Sequence, residues 1–365
     1  MQLYPHQQKF IDANPERAML CFDAGCGKTL AAVEWMKLRP EILFLVICPK
    51  QVKKMWQGVV PPNAFVVTKE EFKKFKGVYG GLVVDEADHG FGSTLFTKGR
   101  SAMATALYTW IRAHPNAPVL LLTATPIRNA PHTSHTLLSY VQKAPEWKVY
   151  RDEQYELVRR PYNPRPFYER KQGWQKVSAK MIRENAHIAS MSDIVKVPEQ
   201  FENVVNLIEG DKKAYESWHD KARAESGHKK LAWIQEYARD KRKVIIVSRY
   251  LDTIMRWAPL LSQERETFTL TGSTKDQEQV IKDARESMEC YLLIQADLAA
   301  GYELPEFSHV IFASLSFSVR SLVQMKGRVL RINHLKSNWY TYLLGGSCDK
   351  SVYDRVVKDG QDFVI

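Results

Sequence analysis

A glycine-rich loop near the start of the chain has the composition of a phosphate-binding loop. Gly25 and Gly27 place no side chain in the way, so the surrounding backbone N–H groups can converge on phosphate oxygens. Lys28 adds a point charge for the terminal phosphates of a nucleotide, and the Thr29 hydroxyl is suited to bind magnesium. With Cys26 these residues are expected to hold a nucleotide and its metal ion. The alternative is an ordinary strand-to-helix turn.

Two carboxylates follow a short apolar run farther along the chain. The run at 82–84 fits a central parallel strand and ends in Asp85 and Glu86. Open α/β sheets bind ligands beyond the carboxyl ends of their strands. Asp85 is expected to hold Mg²⁺ through water, and Glu86 to polarise an attacking water molecule. A solvated acidic loop is the alternative, and the glycine loop upstream makes it the minor one.

A third cluster, with two arginines, lies near the end of the chain. If residues 322–330 form a helix, Gln324, Gly327, Arg328 and Arg331 share one face. Guanidinium groups on that face could stabilise charge developing on a γ-phosphate, and the sequence does not rank Arg328 against Arg331. The alternative is a surface helix with ordinary arginines.

The elements that must position these clusters alternate between strand and helix. In the first half the predicted strands are 17–22, 82–84 and 119–122, and the predicted helix is 29–37. In the second half the predicted strands are 243–250, 267–270 and 291–294, and the predicted helices are 251–261 and 276–287. Residues 212–235 are predicted to be helical, with a break near Gly227. The pattern predicts an α/β protein with two mainly parallel sheets flanked by helices. We expect domains at 1–142 and 229–365, joined by a connecting segment at 143–228.

Composition narrows the class of protein. The chain has 365 residues and a formal net charge of +11, which favours a polyanionic partner such as nucleic acid. No apolar run approaches the length of a membrane span, and the start lacks the pattern of a signal peptide. The five cysteines are an odd number without a C-x-x-C pair, so we expect free thiols in a reducing compartment.

The predicted connecting segment is rich in basic and aromatic residues. Between residues 148 and 183 there are ten Lys/Arg against four Asp/Glu, interleaved with tyrosine, phenylalanine and tryptophan. Such a mixture suits contact with a nucleic-acid strand, and Arg165, Arg170, Lys171 and Trp174 are the candidates. The alternative is a brace between domains whose aromatic rings are buried and whose arginines face water.

Taken in order, these motifs resemble those of superfamily 2 helicases and translocases. The matching segments are Tyr4-Pro5-His6-Gln7, the phosphate loop, the box Asp85-Glu86-Ala87-Asp88, Thr123-Ala124-Thr125, and Gln324 to Arg331. The opening motif and Phe22-Asp23-Ala24-Gly25 resemble compact Swi/Snf-like members found in phages and bacteria. In that branch histidine stands at the position of Asp88, and here His89 follows it, so the box is a hybrid.

The resemblance implies two tandem RecA-like domains that use ATP and Mg²⁺. It implies that Gln7 reads adenine and that Gln324 belongs to the nucleotide site. It also implies contacts with the nucleic-acid backbone at Pro49, Lys50, Thr68, Arg249, Thr271 and Gly272. Asp297 to Pro305 resembles the fifth family motif, with Glu303 where Swi/Snf-like members usually have glycine.

The implied function is an ATP-dependent helicase or translocase. DNA is favoured over RNA as the partner, and replication, recombination or repair as the setting. We expect a monomer in the cytoplasm of a bacterial or phage-infected host cell, working with replication or recombination proteins. A DEAD-box-type RNA helicase is one alternative. A nucleic-acid-binding switch gated by ATP, without translocation, is the other.

Overall fold

A computed structural model describes residues 2–92, 101–127, 130–159, 167–207, 219–298, 302–316 and 318–358, with the backbone alone at 219–226, 297 and 347. The chain divides into two compact units, and the boundary lies between Ile194 and Val195. This boundary falls inside the segment 143–228, so that segment contributes to both units. The N-terminal and C-terminal units are called the first and second unit below.

The first unit is built on a six-stranded sheet in which the neighbouring strands are parallel. Its strands are β1 (Arg17–Phe22), β2 (Phe44–Cys48), β3 (Ala64–Thr68), β4 (Gly81–Val84), β5 (Val119–Leu122) and β8 (His187–Ala189). Their order across the sheet is β3-β2-β4-β5-β1-β8. The central strands β2, β4 and β5 are buried throughout, as expected of apolar runs covered on both faces.

Helices cover this sheet and begin or end close to the strand ends. They are Pro5–Ala13, Lys28–Lys37, Lys53–Val59, Lys69–Phe72, Ala102–Ala113, His132–Tyr140, Trp147–Gln154, Trp174–Asn185 and Met191–Ile194. Because the strands are parallel, the loops after β1, β2, β3, β4 and β5 all leave from one edge of the sheet. The predicted nucleotide-binding residues of the first half therefore meet at that edge.

A small antiparallel hairpin also belongs to the first unit. Its strands are β6 (Tyr155–Val158) and β7 (Phe167–Arg170), which pair with each other and form a separate two-stranded sheet. Lys171 N donates to the Gln154 carbonyl at 3.0 Å and closes the base of the hairpin.

The second unit repeats the design of the first. Its sheet has the order β11-β12-β10-β13-β14-β9, again with parallel neighbours. The strands are β9 (Phe201–Asn206), β10 (Lys243–Ser248), β11 (Glu266–Leu270), β12 (Cys290–Gln295), β13 (His309–Phe312) and β14 (Trp339–Leu344). The helices are His219–Ala238, Leu251–Leu261, Gln277–Glu286, Val319–Val329 and Ser347–Tyr353. The prediction of two parallel sheets flanked by helices is confirmed.

The helix predicted at residues 212–235 differs from the structure. The helix His219–Ala238 runs through Gly227 without the predicted break, because Leu231, Ile234 and Ala238 anchor it against the core of the second unit. The predicted residues 212–218 lie outside the described part of the chain. Within the described residues, no helix is long and apolar enough to cross a membrane.

Candidate nucleotide site and nucleic-acid contacts

The glycine loop adopts the backbone geometry that phosphate binding requires. Gly25 and Gly27 have φ values of 86° and 75°, in the left-handed region that favours glycine. The helix Lys28–Lys37 begins directly after Gly27, so its free N-terminal N–H groups lie next to the loop. These N–H groups and the positive end of the helix dipole form a site suited to phosphate.

The Lys28 ammonium group is held on the loop itself. It donates to the carbonyl of Phe22 at 2.7 Å and to that of Asp23 at 3.1 Å. Phe22 occupies the position where a phosphate loop usually has a small residue, and its side chain is buried. Two neutral carbonyl oxygens bind an ammonium group less strongly than phosphate oxygens would, since charge-assisted hydrogen bonds are the stronger kind. The Lys28 ammonium group can therefore exchange these two carbonyls for the phosphate oxygens of a nucleotide.

The first helix of the chain, Pro5–Ala13, is hydrogen-bonded to the glycine loop. The Gln7 amide donates to the carbonyl of Gly27 at 3.0 Å and accepts from the backbone N–H of Tyr4 at 2.8 Å. His6 Nε2 lies 2.9 Å from the carbonyl of Cys26, and the His6 ring packs edge-on against Phe22. Gln7 is fully buried, so in this conformation it positions the loop. A contact from Gln7 to adenine stays a prediction.

Asp85 and Glu86 follow β4 at the same edge of the sheet as the loop. Asp85 Oδ2 accepts from the Trp56 indole at 2.9 Å, and Oδ1 accepts from the Glu86 N–H at 3.0 Å. Burial raises the pKa of Asp85, and the negative charge of Glu86 raises it further. Glu86 has a φ of 49°, which is uncommon for a residue with a side chain. Backbone strain of this kind is frequent at functional sites.

The donor set at this edge fits a magnesium ion. Mg²⁺ is commonly held by one or two carboxylates, substrate phosphates and several waters, so a dedicated protein cage is not required. Asp85 offers further lone pairs on both carboxylate oxygens, and a nearby cation would offset the burial that raises its pKa. Thr29, the second residue of the helix Lys28–Lys37, is the candidate for the hydroxyl ligand.

Asp88 connects the acidic box to the Thr-Ala-Thr segment. Its carboxylate is buried and accepts from the hydroxyls of Thr123 at 2.9 Å and Thr125 at 3.2 Å. The Thr125 N–H donates in turn to the Thr123 hydroxyl at 3.0 Å. The network links the loop after β4 to the loop after β5.

Lys69 belongs to the segment 67–69 that resembles a motif contacting the nucleic-acid backbone, and its role in supporting the acidic box was not predicted. Its buried ammonium group donates to the carbonyls of Glu86 at 2.7 Å and His89 at 2.8 Å. It thereby holds the acidic box in its strained backbone conformation. Trp56, bonded to Asp85, was missed in the same way. A lysine directly after the predicted contact Thr68 was the available signal for Lys69, and nothing in the sequence indicated Trp56.

The arginine cluster of the second unit differs from its prediction. The helix is Val319–Val329, and Leu330 already has extended backbone angles, with φ −94° and ψ 115°. Gln324 is buried on this helix and Arg328 is near its end, but Arg331 lies beyond it, bridged to His334. The single helical face predicted for all of these residues is therefore wrong, because the helix ends before the last one.

Arg331 has an acidic neighbour within its own unit. Its guanidinium lies 3.5 Å from the carboxylate of Glu303, the residue at the position where glycine was expected. The Arg331 side chain is 11% exposed and that of Glu303 is 64% exposed. The Leu304 N–H also donates to the Arg328 carbonyl at 2.9 Å, so the segment 297–305 is in contact with the arginine cluster.

The predicted nucleic-acid contacts of the first unit fall into two groups. Pro49 and the exposed Lys50 follow β2 at the same edge as the nucleotide-binding loop. Thr68 is instead buried and caps the helix Lys69–Phe72, where it exchanges two hydrogen bonds with Glu71. Its side chain therefore has a local structural role in this conformation.

The candidates of the middle segment are also separated by burial. Trp174 is only 7% exposed at the start of the helix Trp174–Asn185, which matches the brace alternative for this ring. Arg170 is exposed, and the Lys171 ammonium group donates to the Asp152 carbonyl at 2.6 Å. Arg165 lies outside the described residues.

In the second unit the candidates follow β10 and β11. Arg249 is exposed, and its N–H donates to the hydroxyl of Ser314 at 2.9 Å. Thr271 is buried within a hydroxyl cluster, at 2.9 Å from the Ser273 oxygen, while Gly272 is exposed. Arg249 and Gly272 thus offer accessible groups at the carboxyl edge of the second sheet.

Comparison with known proteins gives a family match over part of the chain and similarity to solved structures. Residues 229–333 match the family model described as helicase conserved C-terminal domain. Among solved structures, the Sulfolobus solfataricus SWI2/SNF2 ATPase core in complex with dsDNA matches at 14% identity and a TM-score of 0.43. That alignment covers 100% of this chain and 94% of the other. No curated protein matches the chain. The second unit therefore contains a region similar to the helicase conserved C-terminal domain.

Proposed function

We propose that the chain is an ATP-dependent nucleic-acid translocase or helicase, with DNA favoured over RNA as its partner. One observation carries the proposal. The glycine loop with Lys28 and the carboxylate of Asp85 leave the same edge of one parallel sheet, in a chain whose second unit contains a region similar to the helicase conserved C-terminal domain. That combination supports ATP hydrolysis coupled to nucleic-acid movement.

The chemistry proposed is in-line attack of water on the γ-phosphate of ATP. Lys28 would exchange the carbonyls of Phe22 and Asp23 for phosphate oxygens, and Thr29 and Asp85 would hold a magnesium ion, which would neutralise phosphate charge. Glu86 orients the attacking water. From the second unit, Arg328 or Arg331 stabilises the charge that develops in the transition state.

Several contacts support a coupling between hydrolysis and nucleic-acid binding. The Asp88 carboxylate bonds to Thr123 and Thr125, so a change at the acidic box alters the loop after β5. Repeated binding and hydrolysis of ATP would then move one unit relative to the other and advance the chain along a strand. The net charge of +11 favours such a polyanionic track.

Within this proposal the protein is a compact Swi/Snf-like motor of phage or bacterial type. It would act in DNA replication, recombination or repair in the cytoplasm, as a monomer that meets other proteins of those processes. A DEAD-box-type RNA helicase is the second candidate. One observation favours this candidate. The acidic box has aspartate at position 88, and its carboxylate accepts hydrogen bonds from the hydroxyls of Thr123 and Thr125.

The direct test is the ATPase rate of the full chain with single- and double-stranded DNA and RNA, beside Lys28→Ala as the inactive control. Stimulation by DNA that is lost in the control is the expected result. Stimulation by RNA alone would select the second candidate. Hydrolysis without any displacement of a strand or of a triplex-forming oligonucleotide would indicate an ATP-gated binding switch. No ATP hydrolysis under any condition would overturn the proposal.

A further inference from the structure

The hairpin formed by β6 and β7 has two unlike faces. In an antiparallel pair, directly opposed residues point to the same side, and residues two apart along a strand share that side. The pairing places Leu157 opposite Tyr168 and Tyr155 opposite Arg170, so these four residues share one face. Glu156 lies opposite Glu169 on the other face.

The first of these faces combines apolar area with positive charge. Leu157 is 53% exposed and Tyr168 is 47% exposed, which is unusual for an apolar pair in direct register. The guanidinium of Arg151 lies 4.8 Å from the centre of the Tyr168 ring, within range of a cation–π contact, and is also paired with the exposed Asp152 carboxylate at 2.7 Å. Arg170 is exposed on the same face. We call Leu157, Tyr168, Arg170 and Arg151 the stacking face.

The opposite face of the hairpin carries negative charge. Glu156 and Glu169 are both exposed, and opposed like charges destabilise a strand pair. A polyanion would be repelled from this side of the hairpin. The two faces therefore differ in charge: the face of the two glutamates, which Val158 and Phe167 share, is unsuited to phosphates.

The body of the first unit holds the hairpin at its base. The Tyr155 hydroxyl lies 3.2 Å from His132 Nδ1, and the Lys171 ammonium group donates to the Asp152 carbonyl at 2.6 Å. Trp174, three residues farther on, is buried. An isolated hairpin is only marginally stable in water, so these anchors fix the orientation of the exposed part.

We propose that the stacking face binds single-stranded nucleic acid, with a base on the Tyr168 ring beside Leu157 and phosphates on Arg170 and Arg151. Rings that accept bases, flanked by cations that follow the phosphate backbone, are the recurring means of holding a single strand without sequence preference. The inference rests on the proposed nucleic-acid function and adds to it a strand-contacting surface that belongs to neither six-stranded sheet.

The test measures binding of a fluorescein-labelled single-stranded DNA oligonucleotide to the full chain over a series of salt concentrations. Tyr168→Ala should weaken binding about 10-fold, because stacking on one base is lost. The slope of log Kd against log salt concentration should stay unchanged, since no charge is removed. Tyr168→Trp should retain wild-type affinity, which separates stacking from the loss of the hydroxyl.

Arg170→Ala should behave differently from the ring variant. It should lower the magnitude of the salt slope by about 0.7, the value for one phosphate contact on a single strand. Glu169→Gln, on the opposite face, is the matched control and should leave affinity unchanged or slightly tighter. Thermal unfolding of each variant shows whether it is folded, and the exposure of these side chains predicts midpoints close to wild type.

Failure of the inference and failure of the proposed function have different signatures. If the wild type binds the oligonucleotide and Tyr168→Ala binds equally well, the stacking face does not contact the strand. The apolar area would then belong to a protein partner, and the inference is overturned. If the wild type binds neither DNA nor RNA oligonucleotides, the proposed nucleic-acid function itself fails.

Discussion

Replacing Gly27 with alanine tests the proposed phosphate loop at its tightest point. At φ 75° an added side chain is strained, at a cost of about 1–2 kcal/mol. The new Cβ would also lie 2.2 Å from the amide nitrogen of Gln7, a distance that forces movement. Because Gln7 is buried, it cannot move without giving up its bonds to Gly27 and Tyr4, each worth about 0.5–1.5 kcal/mol.

The expected total for Gly27→Ala is about 3 kcal/mol, which corresponds to roughly 100-fold in an equilibrium constant. We expect lower thermal stability and a loss of ATP affinity of about that size or more, since the distorted loop also misplaces the phosphate-binding N–H groups. Thermal unfolding and fluorescence titration with a labelled ATP analogue measure the two effects.

The first unit supplies a matched control in Gly173. Its φ of 77° is nearly the same, but an alanine Cβ there would meet no atom within 4 Å. Gly173→Ala should therefore lose only the backbone part of the stability, and ATP affinity should not change. In the double variant Gln7→Ala/Gly27→Ala the clash disappears, so its cost should be smaller than the sum of the two single costs. Wild-type ATP affinity in Gly27→Ala would refute the reasoning.

Two further predictions concern stability. Thr125→Val removes a hydrogen bond to the buried carboxylate of Asp88 and should destabilise the protein by about 1–3 kcal/mol. The control Thr105→Val loses only a bond to the Ser101 carbonyl within a helix and should cost under about 1 kcal/mol. Equal unfolding midpoints for the two variants would contradict this prediction. Burial lowers the pKa of His309 to about 4, so the folded state favours the neutral ring. The contribution of this preference to the free energy of unfolding is full above the ordinary pKa of 6.5 and is lost as the pH falls from 6.5 to 4. Such a shift converts to about 3 kcal/mol, and solvent screening of this partly buried ring brings the expected loss nearer 1 kcal/mol. Urea unfolding at pH 7 and pH 5 measures it, and a pH dependence unchanged in His309→Gln would exclude this residue as the source.

The central strands β1, β4, β5, β10 and β12 could be predicted because their environment leaves a clear trace in the sequence, whereas β2, β13 and β14 were not predicted. A parallel strand covered on both faces is a continuous apolar run, and β1 and β5 have the predicted bounds. The helix Leu251–Leu261 also has the predicted bounds. The edge strands β8 and β9 were not predicted. His187–Ala189 has only three residues, and Phe201–Asn206 is almost wholly exposed, so neither produces such a run.

The site residues show a similar limit. Motif spacing indicated the loop and the acidic box, because backbone N–H groups and strand ends determine which residues can serve there. Spacing could not show that the helix Val319–Val329 ends before Arg331, since the change occurs in the backbone angles of Leu330. Composition could not distinguish the buried Trp174 from the exposed Tyr168, because both rings lie in the same basic and aromatic segment.

The central proposal is that ATP hydrolysis requires both Lys28 of the first unit and an arginine of the second. The most direct measurement is kcat for ATP hydrolysis with saturating DNA, together with ATP affinity, for Arg328→Ala and Arg331→Ala. We predict that at least one of them lowers kcat by about 10³-fold, as loss of an arginine finger does, while ATP affinity stays within a few-fold of wild type. If both variants hydrolyse ATP at the wild-type rate, the second unit contributes no such group and the claim is wrong.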